Sequence, residues 1–377
     1  MNQTLPLNGI TVVELGSSLA APYAALILGE MGAEVIKVEH PDGGDVARTL
    51  GKPGPNGYAH FFEAFNRNKK SVTIDFTKPD ELNRLRRLII EQADVVLQNL
   101  RPGVVEDLGI DAQTFLAEKP SLIYCNLGAY GGAGPMSLLP GYDPLMQAFS
   151  GLCDVTGPAD GEPCRVGPPV IDQGTGMWAA MGILAQLAQR NKTGKGGVVD
   201  VALFETAMAF MTLPMANVIG TGKYTPRGGM LGGAGVAPNR AYETQDGSLV
   251  IISLTERQFR NMCVALGHPE WIEDPRFTSN PKRWRHEAEL RRLMNDVLRT
   301  QTRAHWNALL DKAGVPSAPV QTPIEALNHP HTQAGDLVRG SEDGASPQVL
   351  LPVKFNRARP PYRHRAPQLG QHNELLK

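Results

Sequence analysis

The stretch Pro168-Pro169-Val170-Ile171-Asp172-Gln173-Gly174-Thr175-Gly176, followed by the apolar run of residues 177–187, decides how this chain is read. The two prolines push the backbone before them out of the helical region. The residues after them repeat at helical spacing, with Met177, Ala180, Met181, Leu184 and Leu187 on one apolar face. An extended segment therefore turns into a helix, and one carboxylate, Asp172, stands at its head as a good N-cap residue. Two roles fit that carboxylate. It caps a core helix, or it is an anion kept ionised by the helix dipole and used as a nucleophile.

Outward from that helix the chain alternates strand and helix. Residues 10–15 form a short apolar strand ending at Gly16, residues 20–31 a helix, and residues 35–38 a second strand after the turn Gly32-Ala33. A parallel pair joined by a helical crossover predicts a doubly wound, Rossmann-like α/β sheet. Residues 71–74, 95–97, 122–126 and 198–202 read as further strands, with helices over 79–93, 143–151 and 203–218. Ligands of such sheets sit at the carboxyl ends of strands, where Gly16, Asn99 and the glycine-rich loop 128–141 fall. Glu39 follows Gly16 at the distance of a dinucleotide site, but Gly16-Ser17-Ser18-Leu19-Ala20-Ala21 holds one glycine, which argues against NAD.

Composition shifts near residue 221. Residues 226–235 carry a run of glycines that reads as an interdomain linker or a mobile lid. Residues 241–326 form a smaller α+β domain, with a hairpin about Asp246-Gly247 and helices over 256–266, 286–299 and 302–313. The expected division is 1–220, 221–240, 241–326 and 327–377, the last a return linker and Pro/Arg-rich tail laid on the large domain. A net charge of −1 over 377 residues, without a basic block, argues against a nucleic acid partner. Cys125, Cys153, Cys164 and Cys263 form no CxxC pair and no His/Cys cluster, so free thiols in a reducing compartment and no metal are expected. Neither a signal peptide nor an apolar run of membrane-spanning length is present, so the expected location is cytoplasmic, without a membrane partner.

Several motifs in fixed order then resemble one family. They are Leu7-Asn8-Gly9-Ile10, Gly29-Glu30-Met31-Gly32-Ala33-Glu34-Val35-Ile36-Lys37-Val38-Glu39, Gly44-Asp45 with Arg48, Asn68-Lys69-Lys70-Ser71, Asn99-Leu100-Arg101-Pro102-Gly103, Asp172 with Gly176, Asp274-Pro275-Arg276-Phe277, Gly314-Val315-Pro316, and Ala366-Pro367-Gln368-Leu369-Gly370. The chain is similar to the family III CoA-transferases, a group that includes formyl-CoA and carnitine CoA-transferases and α-methylacyl-CoA racemases. The resemblance implies that Asp172 attacks an acyl-CoA thioester, forms a mixed anhydride and then an aspartyl-CoA thioester, which an acceptor acid opens. It implies that Gly232 and Gly233 belong to a loop covering the thioester. It places CoA against Ser18, Leu19, Ala20, His40, Asn99 and Leu100, with Lys70 and Arg101, or Lys37, Arg48 and Lys69, as cations for its phosphates. His40 and Asp107 stand where relatives carry arginine. Tyr142 stands where the racemases carry a histidine, and a phenol is a poor proton shuttle at neutral pH, so transfer is favoured over racemisation. The resemblance further implies an interlocked homodimer, with acyl-CoA and a carboxylic acid as substrates.

Overall fold

Strand and helix alternate from the amino terminus onward in the computed structural model, which describes residues 4–54, 56–230 and 235–377. Strands β1 (Thr11–Leu15), β2 (Glu34–Glu39), β3 (Lys69–Thr73), β4 (Val95–Gln98), β5 (Ile123–Gly128) and β6 (Gly197–Ala202) form one six-stranded sheet in the order β3-β2-β1-β4-β5-β6. Every pairing in it is parallel. The strand sequences explain this: Val12-Val13, Val35-Ile36 and Val95-Val96 are apolar at consecutive positions, as strands covered on both faces must be. Val12, Val35, Val95 and Ile123 pack on one face with helices α1 (Ala20–Glu30) and α5 (Val170–Thr193). Val13, Ile36, Val96 and Tyr124 pack on the other with α2 (Pro79–Gln92) and α3 (Ala112–Glu118). Each buried aliphatic side chain contributes about 1.5–3 kcal/mol, so the two layers fix the strand register. The expected Rossmann-like parallel α/β fold is the one observed.

The chain divides into two compact units. The first contains Met1–Leu152, Val166–Ala216 and His331–Lys377. Its carboxyl-terminal segment covers the exposed edge of β3. Ser71 N–H donates to His372 Nδ1 (3.1 Å), His372 N–H donates to the Ser71 carbonyl (2.8 Å), and Thr73 N–H donates to Asn373 Oδ1 (2.8 Å). The second unit contains Cys153–Arg165 and Asn217–Pro330. In it β7 (Asn239–Thr244) and β8 (Gly247–Ile252) form the expected hairpin, β9 (Ser317–Pro319) adds to β8, and helices Glu256–Ala265, Glu287–Leu298 and Arg303–Lys312 close a core of Tyr242, Leu249, Phe259, Met262, Leu290 and Leu310.

Two expectations need correction. The buried stripe of α5 is Gly176, Ala179, Ala180, Ile183 and Leu187, while Met177, Trp178 and Met181 are 46–48% exposed. Small residues form the seam because α1 comes very close: a Cβ on Gly176 would lie 2.7 Å from the Ala20 carbonyl oxygen and 3.1 Å from Ala24 N. Both neighbours are backbone, so Gly176→Ala is expected to lower stability by about 2–3 kcal/mol, read as a reduced urea midpoint. The helix expected over 203–218 is two helices, α6 (Leu203–Phe210) and α7 (Thr212–Thr221), bent by 70°. Pro214 lies in the first turn of α7, where its missing N–H has no helical partner to lose. Among the described residues no single helix is long and apolar enough to cross a membrane, although this bent pair passes that test by length and composition.

Candidate active site

The strand order reverses between β1 and β4, and a crevice opens at the carboxyl ends of such a pair. Asn99, directly after β4, ties it together: its Oδ1 accepts from Ser17 N–H (2.9 Å) and its Nδ2 donates to the Ser17 carbonyl (3.0 Å). The turn after β1 is tight. A Cβ on Gly16 would meet Ala21 Cβ at 2.4 Å, and Ser18 adopts φ 68°, a left-handed conformation unusual for serine.

Helix α5 points its head at this crevice. It begins at Val170, with Pro169 at the N-cap and no side-chain cap, so Asp172 sits in the first turn and not at the cap. Of the two roles open to Asp172, that of helix cap is thereby ruled out: the proline pair starts the helix earlier. The capping carboxylate comes from elsewhere. Asp143, at the head of α4 (Asp143–Phe149), is 2% exposed, and its Oδ2 accepts from Ile171 N–H (2.7 Å) and Asp172 N–H (3.2 Å). Gln147 Nε2 donates to Asp143 Oδ1 (2.7 Å), and Gln147 Oε1 accepts from Val166 N–H (2.8 Å). The free amides at the helix head thus serve Asp143. Among the described residues no group donates to the Asp172 carboxylate, which instead lines a cavity. Burial, and then the nearby Asp143 charge, push the Asp172 carboxyl up to about 7. Near neutral pH the acid and the anion therefore coexist.

The cavity holds about 310 Å³. Ser18, Leu19, Ala20, Asn99, Leu100, Arg101, Tyr142 and Asp172, far apart in sequence, all line it, together with the apolar side chains Leu127, Leu139 and Leu203. Tyr142 stands at its rim, 64% exposed. His40 and Lys70 do not join this group: His40 is exposed with Nε2 3.9 Å from Asp75, and Lys70 pairs with Glu34 (2.8 Å). Arg48 and Lys69 are buried in ion pairs with Glu39 and Glu14, and Lys37 is wholly buried. Arg101 is the one cationic side chain on the cavity wall among the described residues. Gly232 and Gly233 lie outside the described residues. Asp143 and Gln147 escaped the sequence reading. Asp143-Pro144 marks the start of its own helix, but nothing local reveals that its carboxylate caps a second one.

A parallel sheet with a pocket at its strand reversal, and a carboxyl group poised near neutrality on the pocket wall, defines a Rossmann-like α/β enzyme. Comparison with known proteins gives the family: the description CoA-transferase family III matches residues 7–373, and the chain belongs to it, as an enzyme that transfers coenzyme A. It is 34% identical over 379 residues to the succinyl-CoA:glutarate CoA-transferase of Mus musculus, covering 98% of this chain and 85% of that one. It is 34% identical over 375 residues to the acetyl-CoA:oxalate CoA-transferase of Acetobacter aceti, covering 99% and 95%. The crystal structure of a CAIB/BAIF family protein from Brucella suis matches with a TM-score of 0.90 at 33% identity, over 99% of this chain and 98% of that one. The resemblance seen in the sequence motifs is borne out.

Proposed function

We propose that the enzyme moves CoA from an acyl-CoA to a dicarboxylic acid, with Asp172 as the nucleophile. The ionised Asp172 oxygen attacks the thioester carbonyl, the C–S bond breaks, and CoA thiolate leaves an acyl–aspartyl anhydride. The thiolate then attacks the aspartyl carbonyl, releasing the donor acid and leaving an aspartyl-CoA thioester. The acceptor carboxylate attacks that carbonyl and expels thiolate, which finally attacks the acceptor's own carbonyl to give the new acyl-CoA and free Asp172. Every step exchanges an oxygen for a sulfur on an acyl carbon, so no external base is needed.

The observation carrying this reading is the Asp172 carboxylate on the cavity wall without a donor of its own. A hydrogen-bonded anion would be a weaker nucleophile. Ser18, Leu19, Ala20, Asn99, Leu100 and Arg101 hold the CoA arm in this proposal, and Tyr142 lines the acyl end and donates to its oxygen. Gly232 and Gly233 keep water from the thioester. The dicarboxylic acceptor is supported by the succinyl, glutarate and oxalate named for the relatives. The exposed Met177, Trp178 and Met181, with Leu213 (73%) and Ile219 (85%), support a second copy of the chain as a partner.

The test is a screen of succinyl-CoA and acetyl-CoA against oxalate, glutarate and related diacids, read by mass spectrometry. A new CoA ester of a diacid is expected; none with any pair would overturn the proposal. A second reading, epimerisation at the acyl α-carbon, draws on the near-neutral Asp172. Deuterium entering the α-position from heavy water without an acceptor acid would favour it.

A further inference from the structure

Behind the turn formed by residues 16–19 lies a group of charges that the reaction above does not use. Lys37 on β2 and Glu14 on β1 are both wholly buried, an arrangement stable only when every charge has partners. Lys37 Nζ donates to Glu14 Oε1 (2.9 Å) and to the Gly16 carbonyl (2.7 Å), and lies 2.8 Å from Asp45 Oδ2. Lys69 Nζ lies 2.8 Å from the other Glu14 oxygen and donates to the Pro22 carbonyl of α1 (2.9 Å) and to Asn66 Oδ1 (2.9 Å). Asp45 Oδ1 accepts from Ser18 N–H (3.0 Å) and Ala47 N–H (2.9 Å). The four charges cancel. Their attachments converge on one stretch of backbone: the Gly16 carbonyl, the Ser18 amide and the start of α1.

That stretch needs holding. Ser18 lies at φ 68°, where a side chain is strained by about 1 kcal/mol. Asn99 grips the neighbouring Ser17 from the opposite side. Ser18 and the two residues after it line the same cavity as Asp172.

We propose that the buried Lys37–Asp45 pair is a positioning device: Asp45 locks the Ser18 amide and Lys37 locks the Gly16 carbonyl, which sets the turn against which the CoA arm lies. Neither residue touches the acyl group or the acceptor acid. The inference rests on the reading of this cavity as the CoA site, and it assigns a role in holding CoA to two residues that lie outside the cavity wall.

The experiment compares Asp45→Ala, Asp45→Asn and the charge-balanced pair Lys37→Met with Asp45→Asn. Asparagine retains an acceptor for the Ser18 amide and alanine does not. The expected result for Asp45→Ala is a KM for acyl-CoA raised about tenfold or more, equal to about 1.4 kcal/mol, with the KM for the acceptor acid changed less than about twofold. Asp45→Asn is expected to recover most of the loss. The balanced double variant keeps the acceptor for Ser18 and leaves no uncompensated charge, so it reports on the turn if the single variants fail to fold, but it frees the Gly16 carbonyl that Lys37 holds. Its acyl-CoA KM is expected to rise about threefold or more above that of Asp45→Asn, and a KM equal to that of Asp45→Asn would overturn the role of Lys37. Amide exchange at Ser18 is followed in parallel, and faster exchange in Asp45→Ala is expected whether or not the transfer activity is as proposed. An unchanged acyl-CoA KM, equal rises in both KM values, or unchanged Ser18 protection in folded Asp45→Ala would overturn the proposal. Altered Ser18 exchange in an enzyme that moves CoA to no acid tried would retain the lock on the turn and overturn its role in holding CoA.

Discussion

Replacing Asp172 by alanine is expected to lower the rate of CoA transfer by about 1,000-fold or more while leaving the fold intact. No other carboxylate stands on the cavity wall among the described residues: Asp143, the next in space, is buried and committed to two backbone amides and a glutamine. Hydroxylamine added during turnover of the unmodified enzyme should trap the aspartyl-CoA thioester as a hydroxamate at Asp172, visible in a peptide map. An Asp172→Ala enzyme of full activity would end the aspartyl mechanism. Asp172→Asn is expected to fall as far, because an amide oxygen is a poor nucleophile toward a thioester.

The same side chain should govern a pH-dependent part of stability. The Asp172 carboxyl is raised from an ordinary 3.8 to about 7, so between those values the folded chain holds a proton that the unfolded chain has released. Stability from this group therefore falls as pH rises from about 4 to 7, and the full penalty is present above 7. Asp172→Asn removes it. The variant is expected to be more stable than the unmodified enzyme by about 2–4 kcal/mol at pH 8 and about equal to it near pH 3.5, measured by urea unfolding at both. The lower end is favoured because solvent reaches the cavity wall. A stability difference that is the same at both pH values would show that burial and Asp143 do not set this carboxyl's proton affinity. The arrangement is a trade of stability for reactivity: a carboxylate whose ionisation costs the fold stability is the one left free to attack.

The parallel sheet was legible because its strands are doubly covered, and consecutive apolar residues such as Val12-Val13 and Val95-Val96 carry that information locally. The hairpin at Asp246-Gly247 was legible because turn chemistry is local as well. The buried face of α5 was misread because its contact with α1 is made by Gly176, Ala179 and Ala180, while the larger Met177 and Trp178 face outward. Periodicity weighs side-chain size, and close packing of helices rewards its absence. Ser18, Asn99, Tyr142 and Asp172 were picked out by motif, and the structure gathers them at one cavity. His40 and Lys70 carry the same motif signal, yet they face Asp75 and Glu34. Asp143 could not be found that way, since its meaning lies in two amides 28 and 29 residues further along the chain.

The fastening of β3 by the chain's last residues has a consequence for synthesis. His372 reaches Ser71 across 301 residues, and Glu63 accepts from Tyr362 and from the Ala366 amide (3.0 Å). At roughly 5–20 residues per second the ribosome delivers those partners about 15–60 s after β3. Through that interval the nascent sheet carries an open edge and the Glu63 carboxylate lacks both partners. Loss of residues 366–373 would therefore strike the part of the protein made first, because Ser71, Thr73 and Glu63 would lose these partners.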